Sequence, residues 1–596
     1  VFKTGLIVVP FDLWLEILKE NPDDLTSMFL LNIAYMNLGQ YPNGVPAEYR
    51  INPEEFKSSY DIGRFVNIAG NLGIDFITAS GGVCVEDFNN DGNLDIIASG
   101  WFLNEQVKVM FNNGDGTFKD VTETSTLKGI TGGLDMKCAD YNNDGWMDIL
   151  IPRGAWWNDF GKLPASLIRN NGDGTFTDVT YETGLMEHLY PTQASVFADF
   201  NNDGWLDIYF GNETRRDTEK YPCELFLSDG KGKFKNVAKE AGADILCFAK
   251  GVAASDYNND GYMDICISSQ GTENILLRND TGKNSGKIKF TDVTKEAGVG
   301  LPIKSFPVAF LDFNNDGWQD LTIQTYDAEN CDYDNAAEYF NKPVKGEYSI
   351  LYKNNGDGTF TDVTKEMNMQ VAMTVMGLSF GDLDNDGWMD IYSGTGTPNY
   401  TSLVPKRMFR NNEGKSYQDI THSGGFGHLQ KGHGIGFGDV DNDGDQDVYE
   451  DMGGGYEGDG FQGAFYENPG ISGNNWVSLQ LVGVKANKSA MGSKVKITVE
   501  NADKSTRDIY VEVTNGGSFG VNSNRLEAGL GKAVAIKAIE INWLGPNQKQ
   551  IITGVPMNSF VKITEGEAAF EILPLKCYKF AAMPMDTMMM HHGHQM

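Results

Sequence analysis

Long apolar runs are missing from this chain of 596 residues. No stretch of 18 or more occurs, and the opening segment Val1 to Leu18 carries Lys3, Asp12 and Glu16 among its apolar residues. A membrane-spanning helix is therefore not expected. Basic charge is also scarce: 48 Lys and Arg stand against 82 Asp and Glu, a formal charge of -34, which repels phosphate backbones and excludes nucleic acid as a natural partner. Cysteine is thin, with seven residues at 84, 138, 223, 247, 266, 331 and 577 and no C-x-x-C spacing, so neither a zinc knuckle nor a redox motif is indicated. Their spacing leaves any pairing open. The chain lacks an initiator Met and a signal-peptide pattern, and reads as a processed chain or a piece whose targeting segment has been removed. It also lacks G-x-S-x-G, H-E-x-x-H and other catalytic motifs of known mechanics, so no catalytic residues are expected.

What is present is glycine, 70 residues of it, with 11% aromatics and short apolar runs punctuated by Asn, Asp and Gly. That punctuation belongs to an all-β chain. One nonapeptide, D-x-[N/D]-x-D-G-x-x-D, recurs seven times. Its oxygen-bearing positions 1, 3, 5 and 9 are Asp87, Asn89, Asp91 and Asp95; Asp140, Asn142, Asp144 and Asp148; Asp199, Asn201, Asp203 and Asp207; and Asp256, Asn258, Asp260 and Asp264. The last three copies supply Asp312, Asn314, Asp316 and Asp320; Asp382, Asp384, Asp386 and Asp390; and Asp439, Asp441, Asp443 and Asp447. Copies stand roughly 55 to 60 residues apart, stretched between the fifth and sixth, a period that signals an array fold.

A second element, N-G-D-G flanked by apolar runs, alternates with the first at 112–122, 170–180 and 354–364, with degenerate versions near Ser228, Asn279 and Asn411. Asn and Gly there suit a hairpin that needs positive φ. Each period thus holds four short strands, the content of a propeller blade. Seven nonapeptides predict a seven-bladed β-propeller, and after Asp447 the last blade is a strand short. The segment Phe65 to Ala69 resembles the outer strand Phe118 to Thr122 and is expected to close the ring.

The nonapeptide has the design of a calcium loop: oxygens gathered around one point by a turn at Gly92, Gly145, Gly204, Gly261, Gly317, Gly387 or Gly444, with a backbone carbonyl at position 7 and water completing six to eight ligands. An EF-hand is excluded, because position 12 is Ala98, Ile151, Phe210, Ile267, Ile323 and Ser393 where Glu is needed. Several structural Ca2+ ions are the expected cofactors. The alternative is Asp- and Asn-rich turns without metal.

Repeats of this form resemble the FG-GAP/VCBS family, also found in integrin α-subunit propellers, over roughly residues 64 to 470. The strings Lys431 to Asp439, Asn468 to Gly470, Asn474 to Leu479, Met491 to Val495, Gly516 to Gly520 and Arg525 to Gly531 resemble the ASPIC/UnbV domain of cartilage acidic protein-like chains and their bacterial relatives. The resemblance implies an exported calcium-binding protein used for adhesion or interaction, with no established reaction. Independently, 474–565 alternates apolar and polar residues as a small β-sandwich does. Residues 11 to 40 show helical spacing, with Asn21-Pro22-Asp23-Asp24 as a cap, and resemble a tetratricopeptide-like helix pair expected to pack on the propeller or on a partner. The expected domains are a helical segment at 1–60, the propeller at 61–470, the sandwich at 471–566 and a tail at 567–596.

That tail gathers six of 22 Met and three of seven His into its last fourteen residues. Met588, Met589, Met590, His591, His592 and His594 offer thioether and imidazole ligands suited to copper or another soft metal, against partner docking or plain disorder. The functions open at this point are a protein- or glycan-binding scaffold within a cell-envelope assembly, a copper-binding or delivery protein, and a propeller-based hydrolase or lyase. Neutral Asn at position 3 in five of seven loops predicts weak sites, which fill only where calcium is near millimolar; the chain is expected to be extracellular, periplasmic or on the cell surface.

Overall fold

The computed structural model describes residues 13–514, 516–545 and 548–580. Among these, seven sheets share one pattern. The second runs Lys137–Ala139, Asp148–Ile151, Ser166–Asn170 and Phe176–Asp178, all antiparallel neighbours, and the other six repeat that order. Their first strands neighbour one another in a closed cycle, so the all-β propeller with a minor helical N-terminus is borne out. In the last sheet Val66–Asn67 supplies the outer strand, pairing Val66 with Glu467 and Asn67 with Tyr466. The N-terminal and C-terminal ends of the ring are thereby stitched into one blade.

Every first strand ends on a nonapeptide and every second strand begins at its ninth residue, so all seven acidic loops lie on one end of the ring. Apolar residues of adjacent sheets interdigitate between them, for example Ile149, Ile168 and Phe176 with Cys84, Ile97 and Val109. No disulfide joins the seven cysteines, and only Cys577 is exposed.

The helical segment forms at 13–20 and Leu25–Asn37, with Asp24 as N-cap accepting a hydrogen bond from the Ser27 hydroxyl at 2.7 Å. Its apolar face, Leu18, Phe29, Leu31 and Tyr35, packs on Ala336, Ala337 and Tyr339 of the helix Cys331–Tyr339. That helix lies between the fifth and sixth nonapeptides and accounts for the stretched spacing there.

The sandwich has two four-stranded sheets, ordered Leu526–Gly531, Asn475–Val482, Phe560–Thr564, Phe570–Leu573 and Thr506–Glu512, Lys494–Glu500, Ala535–Asn542, Lys549–Ile552. Val477, Leu479, Ile497, Ile539, Ile541 and Val561 fill the space between them, each worth roughly 1.5–3 kcal/mol of burial. The sandwich runs past residue 566, since Phe570–Leu573 pairs with Phe560–Thr564.

Candidate metal loops

Each loop folds its carboxylates inward through its own backbone. In the first, Asp87 accepts from the Asp91 and Gly92 amides at 3.1 and 2.8 Å, Asn89 accepts from the Asp91 amide at 3.0 Å, and Asp91 accepts from the Asn93 amide at 2.9 Å. Position 9 is a hub: Asp95 accepts from the Phe88 amide at 3.0 Å and the Asn112 amide at 2.8 Å, fastening the loop to the third strand of its blade. Asp148, Asp207, Asp264, Asp320, Asp390 and Asp447 repeat this double acceptance. Burial, and behind it the neighbouring loop carboxylates, pushes all seven position-9 carboxyls well above the ordinary range. Burial likewise lifts Asp140 to about 6, and Asp199 and Asp312 to about 7. Groups held this way are costly as bare anions and gain from a nearby cation.

Two loops bring three carboxylate oxygens within 4.8 Å of one another: Asp382, Asp384 and Asp390 in the sixth, and Asp439, Asp441 and Asp443 in the seventh. Each contains a buried oxygen with no hydrogen-bond partner, Oδ1 of Asp384 and Oδ1 of Asp439. An all-oxygen set with an unmet buried acceptor fits a hard divalent ion such as Ca2+. The seventh loop is the most acidic, because Asp445 stands at position 7 and burial with the adjoining carboxylates raises it to about 9. The sixth has a resident cation. Arg410 donates from Nε to Asp384 Oδ2 at 2.6 Å and pairs with Asp386, while its guanidinium stacks on the Tyr60 ring at 4.1 Å.

Position 4, outside the ligand set read from the sequence, turns out to organise the face. It is Asn in all seven copies, each in the left-handed region with φ between 53° and 60°. Each side-chain amide donates to the carbonyl of the next loop's glycine: Asn90 to Gly145, Asn143 to Gly204, Asn202 to Gly261, Asn259 to Gly317, Asn315 to Gly387, Asn385 to Gly444, and Asn442 back to Gly92, at 2.8 to 3.3 Å. The loops thus form one closed hydrogen-bonded circle. Its signal was visible, since position 4 never varies while position 3 does.

The sandwich sits on this circle. The Lys488 amide donates to Asn143 Oδ1 at 2.8 Å, the Tyr510 amide to Asn315 Oδ1 at 2.9 Å, and Arg525 to Asn442 Oδ1 at 3.0 Å. Arg507 reaches the Asp386 carbonyl at 2.7 Å, and the Gly529 amide reaches Asp382 Oδ2 at 3.2 Å. From the sandwich, residues 516–523 enter the ring, where Gly520–Val521 adds a parallel strand to Val83–Glu86. Phe519 packs there against Phe306 and His433, with ring centroids 5.1 and 4.8 Å away. Trp156 closes the other side of Phe306 at 5.8 Å, and the buried Lys250–Glu213 pair fills the space beside it. A cavity of about 70 Å³ remains between ring and sandwich, lined by Ser255, Asp312, Gln319, Gln446, Glu512 and Glu527, room for a few waters. Of the remaining histidines, His428 and His433 are held neutral by burial, down to about 3.

The chain then leaves the sandwich across the seventh loop, where the Tyr578 amide donates to the Asp441 carbonyl at 3.1 Å and Lys576 donates to the Gly114 carbonyl at 2.9 Å. Met588, Met589, Met590, His591, His592 and His594 lie outside the described residues. No described helix is long and apolar enough to cross a membrane.

Two family models match the chain: FG-GAP-like repeat at 72–151, 156–210, 256–323 and 344–393, and ASPIC and UnbV at 483–570. Cartilage acidic protein 1 of Homo sapiens is 25% identical over 361 residues, 56% of this chain and 49% of that protein. The Mus musculus protein of the same name is 25% identical over 312 residues, 50% of this chain and 43% of that one. The chain spans about half the length of these curated relatives. Among solved structures, BBS1N in complex with ARL6DN resembles it at 8% identity and a TM-score of 0.37, covering 69% of this chain and 98% of that one. Trypanosoma rangeli sialidase in complex with sialic acid does so at 10% identity and 0.32, covering 74% and 65%. Likenesses this loose bear on neither fold nor function.

Proposed function

From a propeller of FG-GAP-like repeats joined to an ASPIC and UnbV domain, we propose that this chain is an exported calcium-binding scaffold for protein–protein interaction, rigid when loaded and without catalytic chemistry of its own. The observation that carries the metal reading is the pair of buried, unpartnered oxygens, Asp384 Oδ1 and Asp439 Oδ1, each inside a cluster of three carboxylates. The packing of Phe519, Phe306 and Trp156 through the ring supports a scaffold over a hydrolase or lyase, since a propeller enzyme works on substrate admitted to its central channel. Weak loops suit a compartment with near-millimolar calcium, which supports the exported reading.

The test is metal analysis of the purified full chain with melting at 1 mM CaCl2 and in EDTA. A loop with a Kd of about 0.1–1 mM contributes about 0.4–1.4 kcal/mol at that concentration, and seven together several kcal/mol. A melting temperature unmoved by chelation, with no calcium retained at 1 mM, overturns the reading.

A further inference from the structure

Residues 516–523 sit in the ring as a bound peptide would. The Leu378 amide donates to the Ser518 carbonyl at 3.3 Å and the Val83 amide to the Phe519 carbonyl at 3.2 Å. Buried Lys137 donates to the Gly517 carbonyl at 3.0 Å, the Ser518 hydroxyl bridges the Val308 amide and carbonyl at 3.0 and 2.9 Å, and Asn522 takes the Phe437 amide at 2.9 Å while giving to the Phe380 carbonyl at 2.8 Å. The fit requires absent side chains. A Cβ at Gly517 would lie 1.7 Å from the Leu378 carbonyl oxygen, and one at Gly520 1.8 Å from that of Ile435. These contacts come from several blades, and they satisfy the backbone of an extended segment as strand addition does.

The same sandwich that carries this segment holds on by reading the metal loops. Beside the bonds between Glu512 and Ser255 and between Glu86 and Ser523 and Asn524, which lie outside the loops, its bonds go to Asn143, Asn315, Asn385 and Asn442 of the circle, to the Asp386 carbonyl and to the Asp382 carboxylate. Each depends on the loop's shape. Without a divalent ion, three or more carboxylates confined to nine residues repel one another, and loop shape is what that repulsion degrades. The sandwich also sends Lys494 and Arg525 to within 4.0 Å of Asp256 and Asp439, an attraction that grows when the loops are bare, but it acts on single side chains at two of the seven loops.

We propose that the sandwich is a divalent-cation-gated stopper: loaded loops hold residues 516–523 in the ring, and chelation releases them and frees a seat for an extended peptide of the same Gly-Ser-Phe-Gly character. This rests on the calcium reading above and adds a coupling to it. By linkage, whatever loading adds to docking, docking adds to loading.

Hydrogen exchange of the full chain at 1 mM CaCl2 and in EDTA tests it, alongside calcium content and uptake of a synthetic peptide of residues 514–524. Chelation is expected to speed exchange about tenfold in the segments holding Val83 and Leu378, to leave the second strands of the blades protected, and to allow saturable uptake of the peptide that calcium suppresses. Gly517→Val and Gly520→Val should show the fast exchange and the uptake in calcium, and bind calcium about tenfold more weakly at the sixth and seventh loops. Calcium retained and lost on chelation with no change at Val83 and Leu378, or slower exchange there in EDTA, overturns the stopper while leaving the calcium reading intact. A chain that takes up no calcium sinks both.

Discussion

The circle of asparagines makes a prediction with an internal control. Asn202 sits mid-ring and gives one bond, to the Gly261 carbonyl at 2.8 Å, while its Oδ1 is buried without a partner. Asn442 sits where the ends of the ring meet, giving bonds to the Gly92 carbonyl at 3.3 Å and Asn93 Oδ1 at 3.1 Å and accepting one from the Arg525 guanidinium at 3.0 Å. Replacement by Gly removes the side chain and keeps the left-handed backbone unstrained. Asn202→Gly then costs one neutral bond, about 1 kcal/mol, whereas Asn442→Gly costs two neutral bonds and one to a charge, about 3 to 4 kcal/mol. The extra freedom that Gly gives the unfolded chain is the same at both positions and drops out of the difference. Ala at either position adds about 1 kcal/mol of left-handed strain. Denaturant midpoints measured in saturating calcium, with a common slope, give the comparison. If Asn442→Gly comes within about 0.5 kcal/mol of Asn202→Gly, the seam is not held by these extra bonds.

Other perturbations follow from single groups. Asp451 is buried, accepts from the Thr78 hydroxyl at 2.8 Å and the Gly81 amide at 2.8 Å, and burial raises its carboxyl from 3.8 to about 8. Between those values the folded state binds the extra proton, so stability falls as pH climbs through that window and is flat above it; Asp451→Asn should lose this part of the slope in melting curves taken from pH 5 to 9. Arg410→Gln should raise calcium affinity at the sixth loop about tenfold and lower stability in EDTA, both readable by titration and melting; unit charges about 5 Å apart at an effective dielectric of about 20 exert ~3 kcal/mol, enough for that change. The Tyr578 hydroxyl bonds the Val440 carbonyl and Asn112. Tyr578→Phe should cost about 1–2 kcal/mol in the denaturant midpoint, and no shift would mean that this crossing of the seam is idle.

The repeat was legible because its chemistry is local. Nine residues suffice to specify a turn with inward oxygens, and the hairpin signal marks the strands around it, so loop positions, strand order and the closing strand near Val66 could be read before any coordinates. What could not be read was what those loops touch. Arg410 is 26 residues from Asp384, and nothing in its own neighbourhood marks it as a counter-ion to the sixth loop. The position-4 asparagines were visible as an unvarying column, but their role depends on the distance to the next loop, a property of the closed ring. Position 9 was read as a ligand alone, whereas each of those carboxylates also fastens its loop to the neighbouring strand.

The docking of the sandwich was in the sequence in a form that looked only like resemblance. The string Lys431 to Asp439 places glycine at 432, 434, 436 and 438, and 516–520 reads Gly, Gly, Ser, Phe, Gly. In a strand, period-two glycine strips one face of its side chains. Here the face from Gly434 to Gly438 is turned to the first blade and the inserted segment: a Cβ at Gly434 would sit 2.5 Å from the Gly81 carbonyl oxygen and 2.9 Å from that of Phe519, and one at Gly436 3.2 Å from that of Val521. The two glycine-rich strings are therefore complementary surfaces, pressed backbone to backbone at the seam where the ring closes. Such strands give up conformational entropy and side-chain burial, roughly 0.5–1 kcal/mol per glycine, and a fold retains that loss where another chain segment must come within van der Waals contact of the backbone. Alternating glycine in a first strand of a propeller, paired with a short glycine-aromatic-glycine string downstream, is thus a sequence sign of a ring that is closed and filled by the domain that follows it.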